Sequence, residues 1–486
     1  MKNSEILIIG SGIGSLSAAC LLAQKGKKVT VVEQNYLPGG CVSSYWRKGF
    51  VFEAGATTLV GLDKGQPLHY LLDTLGIDLP ARKLDLPMQI KMKNGHIINR
   101  HENIEEWIHE AKAEFGFENQ EAFWRFCFKI SQFVWDTSLR QRTFPISSWS
   151  DLLNSALHAT PSQLWNARWS LYSMQDLLIK FNLHYNNDFV DFVNAQLLIT
   201  AQNTIENVNV LFGATALCYT NYGNYYLDGG LISLSNSLVE YIKSHGGEVI
   251  FKENVASISR NNANKYEIKT SKSEYVAEYV VSGIPLNNSL KLFGDVLNSK
   301  LQSKTMQSAQ LNSAFQMGIG FKKSKKFVSI HHQIHLQVNL PHINAKTIFV
   351  SLTHPEDNTR CDDPTTMVAS VSTHWPDPEK TMAFDKAVLE NLVIDALVNQ
   401  DFFKKEDIIY YHSSTPEAWE KWTNRAFGFV GGYPQFMNIK PWQMQDARLD
   451  GHKAYIVGDS VYPGQGIPGV TLSGIIAFEK MKRDWF

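Results

Sequence analysis

Ile6-Leu7-Ile8-Ile9-Gly10-Ser11-Gly12-Ile13-Gly14-Ser15 begins as a continuous apolar run and breaks at once on a glycine turn. An unbroken aliphatic run is the pattern of a strand buried on both faces of a parallel sheet. Beyond the turn, Leu16 to Lys25 reads as a helix closed by Gly26, and Lys28 to Val32 as a second strand. Glu33 ends that strand, close to the roughly 20-residue interval at which an acid meets a ribose hydroxyl in a dinucleotide-binding βαβ unit. In such a unit Gly10 permits the tight turn, Gly12 lets backbone N–H groups approach a pyrophosphate, and the helix start supplies partial positive charge. The third glycine position is Ser15, small but a departure from the pattern. An acid at position 33 favours an unphosphorylated ribose, hence FAD or NAD rather than NADP.

Three outlying segments extend this reading. Just past Glu33 and Gln34 the chain runs Asn35-Tyr36-Leu37-Pro38-Gly39-Gly40-Cys41, then Gly49-Phe50-Val51-Phe52-Glu53-Ala54-Gly55. At the far end, Ala454-Tyr455-Ile456-Val457 reads as a buried strand leading into Gly458-Asp459-Ser460 and Pro463-Gly464-Gln465-Gly466-Ile467-Pro468-Gly469-Val470, with a helix expected from near Thr471. A second helix amino end therefore faces the same ligand, and the two chain ends must meet. In the middle, Tyr226-Leu227-Asp228-Gly229-Gly230 precedes an amphipathic run from Leu231 to His245, a strand near Glu248 to Phe251, and Asn254-Val255.

These segments resemble the amine-oxidase-like flavoproteins, and within them the carotenoid isomerase, phytoene desaturase and retinol saturase group. The most specific part is Gly458-Asp459-Ser460 with Pro463, Gly464 and Gly466, followed by Ser473-Gly474; Thr415-Pro416, Arg425, Gly428 and Gly431-Gly432 support it. Leu227 stands where the group has a proline. Cys41, not arginine, follows Gly39-Gly40, which points to the isomerase and saturase branch. The resemblance implies an FAD oxidoreductase whose cofactor is held by Gly10, Gly12, Ile13, Gly14, Ser15, Glu33, Gln34, Gly39, Gly40, Cys41, Val255, Gly458, Asp459, Gly466, Ile467 and Val470. Asp459 is expected at a ribityl hydroxyl and the Val255 backbone near the adenine. It assigns no catalytic acid or base. The implied substrate is an apolar polyene or isoprenoid that is desaturated, saturated or isomerised. An amine or porphyrinogen oxidase on the same fold, and a lipid carrier resembling the GDP-dissociation inhibitors, stand beside that reading.

Composition narrows the field. Forty-six Lys and Arg against 47 Asp and Glu leave a net charge of −1, so no basic field invites a nucleic-acid backbone. Five scattered cysteines without a C-x-x-C pair argue against a disulfide framework or zinc knuckle and fit a reducing, cytoplasmic setting. No apolar stretch is long enough to span a bilayer, and the first strand begins too near the start for a cleavable leader. Aromatics, at 12%, are abundant. Many, including Trp107, Phe123, Trp124, Phe133, Trp135, Trp165 and Tyr172, fall between Glu105 and Tyr222 at helical spacing. That stretch reads either as core or as the wall of an apolar site, and its Arg-aromatic mixtures add the expectation of a peripheral membrane contact.

His331-His332-x-x-His335 lies in a strand-like context, Phe327 to Leu340, which turns His332 away from the other two and argues against a zinc site. The expected architecture is α/β: a discontinuous Rossmann-like FAD domain from residues 1–70, 223–290 and 440–486, and a second α+β domain from 71–222 and 291–439, with 105–222 mostly helical. In the second domain 315–318, 347–351 and 367–371 read as strands. Pro378 to Asn399 reads as one helix capped by Asp377, with Val388, Leu389, Leu392, Val393, Ala396 and Leu397 on its apolar face.

Overall fold

The computed structural model describes residues 1–380 and 384–486. Its first sheet has seven strands. Lys2–Ile9 lies at the centre, parallel to Val29–Val32 on one side and Glu274–Ser282 on the other, with Ile8 in register with Val31 and Val281. Glu248–Ile250 extends the sheet past Val29–Val32. On the far side Glu274–Ser282 is shared lengthwise. Its first half pairs with the antiparallel Tyr266–Thr270 and its last residues with Ala454–Ile456, so that Val281 meets Tyr455. Residues from the beginning, middle and end of the chain thus occupy adjacent strands. Ile6, Leu7 and Ile8 are fully buried because helices cover one face and loops and further strands the other.

The joint between the chain ends is made by small residues. Helix Ile13–Gln24 packs on the last helix, Ile467–Trp485. A Cβ on Gly474 would lie 2.5 Å from the Gly14 carbonyl oxygen and 2.8 Å from Ser17 Cβ, so only glycine allows this approach. That helix begins at Ile467 rather than near Thr471, since Pro468 needs no N–H donor partner in a first turn and its fixed φ suits a helix start.

The second sheet also has seven strands, in the order Ile408–Ser414, Asn312–Lys322, Thr366–Pro376, Ala345–Leu352, His331–Leu340, Met88–Lys91, Ile97–Arg100. One face carries helices drawn from 104–217, whose buried Trp107, Trp124, Phe189 and Phe192 pack with Met88 and Ile90. The other carries helix Lys386–Asn399. Because both faces are covered, His331, His332 and His335 are all buried. The helix expected from Pro378 starts at Lys386, capped by the Asp385 side chain, while Asp377 is in a left-handed turn conformation; residues 381–383 of that expectation lie outside the described residues. Its buried stripe is Leu389, Val393, Ile394 and Leu397, with Val388 and Leu392 turned toward solvent.

Candidate functional site

Gly10, Glu33, Gly283 and Gly458 stand one or two residues past the carboxyl ends of four parallel strands of the first sheet, the edge where ligands of open α/β sheets bind. Gly10 turns there with φ +85°, its N–H donating to the Val32 carbonyl at 2.8 Å. Gly12 begins helix Ile13–Gln24 without any side-chain cap, and no atom lies within 4 Å of where its Cβ would stand. No protein acceptor meets the N–H groups of Ile13, Gly14 or Ser15 among the described backbone hydrogen bonds. Ile13 and Gly14 sit beneath: a Cβ on Gly14 would meet Gly458 N and the Val470 carbonyl, both at 3.1 Å. Ser15, where the fingerprint has glycine, is buried with its hydroxyl in the place a Gly283 Cβ would need.

Glu33 is buried at the rim of this turn. Its Oε2 accepts from the Ser11 N–H and hydroxyl at 2.7 Å each, and its Oε1 from the Asn35 N–H at 2.8 Å. Oε1, with one protein donor, retains a lone pair for a ligand hydroxyl. The Glu253 N–H donates to the Glu33 carbonyl at 2.9 Å, which brings the strand that starts at Val255 alongside. Gln34 is half-buried beside Trp422.

Gly39 runs beside the first turn in a parallel bridge to Gly12, its N–H donating to the Ser11 carbonyl at 2.8 Å. Gly40 follows with positive φ, and Gly12 Cα is 3.7 Å from its Cβ position. Cys41 comes next, half-buried and facing a cavity rather than sealed in the core. Burial pushes its thiol up, an effect that the neighbouring Arg425 opposes and Asp459 reinforces, so it is a neutral thiol.

From the other chain end, Gly458 turns with φ +114°, its N–H held by Ser473 Oγ at 2.9 Å. Gly466 starts the last helix, again without a side-chain cap, with Ile467 buried and Val470 half-buried behind it. Asp459 does not stand alone. Both its oxygens accept from Arg425 Nη2, at 3.0 and 2.9 Å. Burial works against the Arg425 charge, but the Asp459 carboxylate outweighs it and holds the guanidinium above its ordinary range. Arg425 belongs to the family-like C-terminal stretch, yet its role as the partner of Asp459 is visible only in three dimensions.

The second glycine turn, through Asp459 and Gly466, opens together with Cys41 on a cavity of about 800 Å³. Cys41, Gly55 and Asp459 line its inner end, Phe349 and His374 its sheet wall, and Phe133, Trp135 and Phe212 its helical wall. The aromatic stripe of the sequence therefore divides: Trp107, Phe123 and Trp124 are core, Phe133 and Trp135 face the cavity, and Trp165 and Tyr172 are on the surface. At the inner end a hydroxyl relay escaped sequence reasoning. His331 Nδ1 lies 2.8 Å from Ser351 Oγ and Nε2 3.3 Å from Thr58 Oγ1, while Ser351 Oγ donates to Thr57 Oγ1 at 2.7 Å. Burial, with smaller pushes from His332 and Arg360, lowers His331 to about 3, so the ring is neutral. One ring nitrogen then donates to Ser351 and the other accepts from Thr58, leaving the Thr57 hydroxyl hydrogen free toward the cavity. No group of three or more His, Cys, Asp or Glu able to hold a metal occurs among the described residues.

Two uncapped helix starts, an unfilled space above Gly12 and a buried acid at the rim fit a dinucleotide pyrophosphate and ribose. The family model for flavin containing amine oxidoreductase matches residues 16–480. The chain is 23% identical over 514 residues to the chloroplastic prolycopene isomerase of Daucus carota, covering 99% of this chain and 80% of that protein. It is 24% identical over 512 residues to the 1-hydroxycarotenoid 3,4-desaturase of a Flavobacterium strain, covering 97% of this chain and 98% of that one. Among solved structures it resembles putrescine oxidase, with a TM-score of 0.64, 12% identity and 99% of each chain covered.

Proposed function

Since the chain belongs to the flavin-containing amine oxidoreductase family and is an FAD-dependent oxidoreductase, we propose that its substrate is a carotenoid-like polyene, which it desaturates, saturates or isomerises. The observation that carries this reading is the cavity: large, apolar-walled and continuous from Cys41 and the second glycine turn to the protein surface. The carotenoid-acting relatives support it.

In this proposal Gly10, Gly12, Ile13, Gly14 and Ser15 receive the pyrophosphate on the first helix start. Glu33 and Gln34 take the ribose, and Val255 passes the adenine. Gly39, Gly40, Cys41, Gly458, Asp459, Gly466, Ile467 and Val470 surround the ribityl chain and flavin. Bound FAD supplies hydride acceptance or return at the flavin ring. The chain's own part is positional. Arg425 fixes the Asp459 carboxylate, leaving lone pairs for a ribityl hydroxyl. Phe133, Trp135 and Phe349 hold an apolar rod and keep water out. The Thr57 hydroxyl, oriented through Ser351 and His331, presents a proton to the cavity. No helix among the described residues is long and apolar enough to cross a membrane; we place the protein in the cytoplasm, drawing its water-insoluble substrate from a lipid phase by peripheral contact.

Anaerobic incubation with several polyenes, using oxidised and then reduced enzyme, tests the reading by product mass and retention. Loss of two hydrogens, gain of two, or unchanged mass with altered retention identifies the reaction. Return of every polyene unaltered under both conditions overturns the proposal.

A further inference from the structure

Helix Trp149–His158 is amphipathic in the wrong sense for a water-facing surface. Its apolar residues recur at 149, 152, 153 and 157, the spacing of one helical face. That face is turned out: Trp149 is 80% exposed, Leu153 65% and Leu157 82%. The polar face is turned in. Asp151 is fully buried, accepting from Arg448 Nη1 at 2.6 Å with Lys480 Nζ 3.4 Å away, and Asn154 is buried against Thr143 and Arg483. Arg448 in turn donates to Asp484 at 2.7 Å. Polar bonds to the last helix thus hold the segment with its apolar stripe toward solvent, so the exposure follows from the fold and not from fraying.

The next helix, Pro161–Ala167, continues the surface with Leu164, 75% exposed, and Trp165, 64% exposed. Contiguous apolar exposure on this scale marks an interaction site. We propose that this face, carried by Trp149, Leu153, Leu157, Leu164 and Trp165, docks on an anionic lipid bilayer and places the mouth of the cavity against it. The inference rests on the proposed apolar substrate and names the surface through which it arrives.

Two observations favour a bilayer over a second protein chain. Leu152, Leu164 and Trp442 line the cavity and are also exposed, so the docking face and the cavity mouth are one surface. A second chain seated there would block the entrance, whereas a bilayer would feed it. Charge agrees. Between residues 141 and 175 the only acid is Asp151, which is buried and paired. Arg168 lies over the Trp165 ring at 3.6 Å and has no carboxylate partner among the described ion pairs. Cations and tryptophans around an apolar stripe are the composition that binds an anionic interface.

The test uses FAD-loaded protein in flotation with vesicles of phosphatidylcholine alone and of phosphatidylcholine mixed with phosphatidylglycerol. The wild type should float with the mixed vesicles. Leu153→Ser/Leu157→Ser should bind at least about tenfold more weakly, with an unchanged flavin spectrum and unchanged turnover of detergent-dispersed polyene. Tryptophan emission of the wild type should be quenched by lipids brominated on their acyl chains, a readout that needs no variant. Wild type and variant binding vesicles equally, or no quenching, overturns the docking face. A wild-type dimer that the double substitution converts to monomer, without vesicle binding by either, overturns it in favour of a second copy. Normal docking with no polyene turnover by the wild type would sink the substrate reading and leave the surface intact.

Discussion

The hydroxyl of Ser15 occupies the place that a side chain on Gly283 would need. The dinucleotide fingerprint requires a small residue at position 15 so that helix and strand can pack closely; here serine stands there, and the glycine has moved to the neighbouring strand end. Gly283 has nothing to spare on its other side, since its Cβ would also lie 2.7 Å from the Ile9 carbonyl. Gly283→Ala should therefore destabilise the fold by about 1–3 kcal/mol, as overpacking does. Adding Ser15→Gly should restore part of that, a coupling read from urea midpoints of the four proteins in the cycle. Strict additivity would show that the two residues do not share the space.

Gly12 offers the opposite case. No atom stands within 4 Å of its Cβ position and its backbone is in an ordinary extended conformation. Gly12→Val should fold with a urea midpoint close to that of the wild type, while losing at least about tenfold in FAD affinity, or roughly 1.4 kcal/mol, because the new side chain fills the pyrophosphate space. Isothermal titration of apoprotein with FAD reads this directly. Unchanged affinity would place the pyrophosphate elsewhere.

Glu33 and Asp459 flank the proposed cofactor from opposite chain ends. Alanine at either position should weaken FAD by about 1–3 kcal/mol, the cost of a lost charged acceptor. Arg425→Met should also weaken it, by less, since the guanidinium orients Asp459 and leaves that carboxylate in place. Flavin fluorescence titration ranks the three. An Arg425→Met defect larger than that of Asp459→Ala would mean that the arginine itself contacts the cofactor.

Acid should loosen the second sheet. Burial lowers His331 and His332 to about 3 and His335 and His374 to about 4. The folded chain holds these rings neutral, whereas the unfolded chain protonates them below about 6.5. Stability is then complete above that value and declines as pH falls toward the folded values, each ring contributing up to about 1.4 kcal/mol per pH unit. Urea midpoints between about pH 7 and about pH 5 should fall, and His332→Leu should fall less steeply. A flat profile in the wild type would mean that the rings are solvated.

The glycine turns were legible because each rests on a local requirement: Gly10, Gly458 and Gly466 all adopt positive φ, and the apolar strands before Gly10 and Gly458 are buried. What escaped the sequence depends on partners far along the chain. Thr57, His331 and Ser351 form one relay across three segments, and Arg425 acquires its role only beside Asp459. The aromatic stripe could not be sorted because helical spacing shows which residues share a face, not whether that face meets core, cavity or solvent. Asp377 misled as a helix cap because Asp385 offers the same chemistry at the true start. Helix Trp149–His158 inverts the usual inference altogether, with its carboxylate inside and its tryptophan outside.

The central claim is that FAD at the two glycine turns works on an apolar polyene delivered through the cavity. It is tested most directly by incubating the FAD-loaded protein anaerobically, oxidised and then reduced, with a carotenoid-like polyene and, separately, the oxidised protein with putrescine, following the flavin absorbance together with product mass and retention. The account predicts that the polyene perturbs the flavin spectrum and is converted, while putrescine leaves the spectrum unaltered. Flavin bleaching by putrescine, with the polyene recovered unchanged, would contradict it.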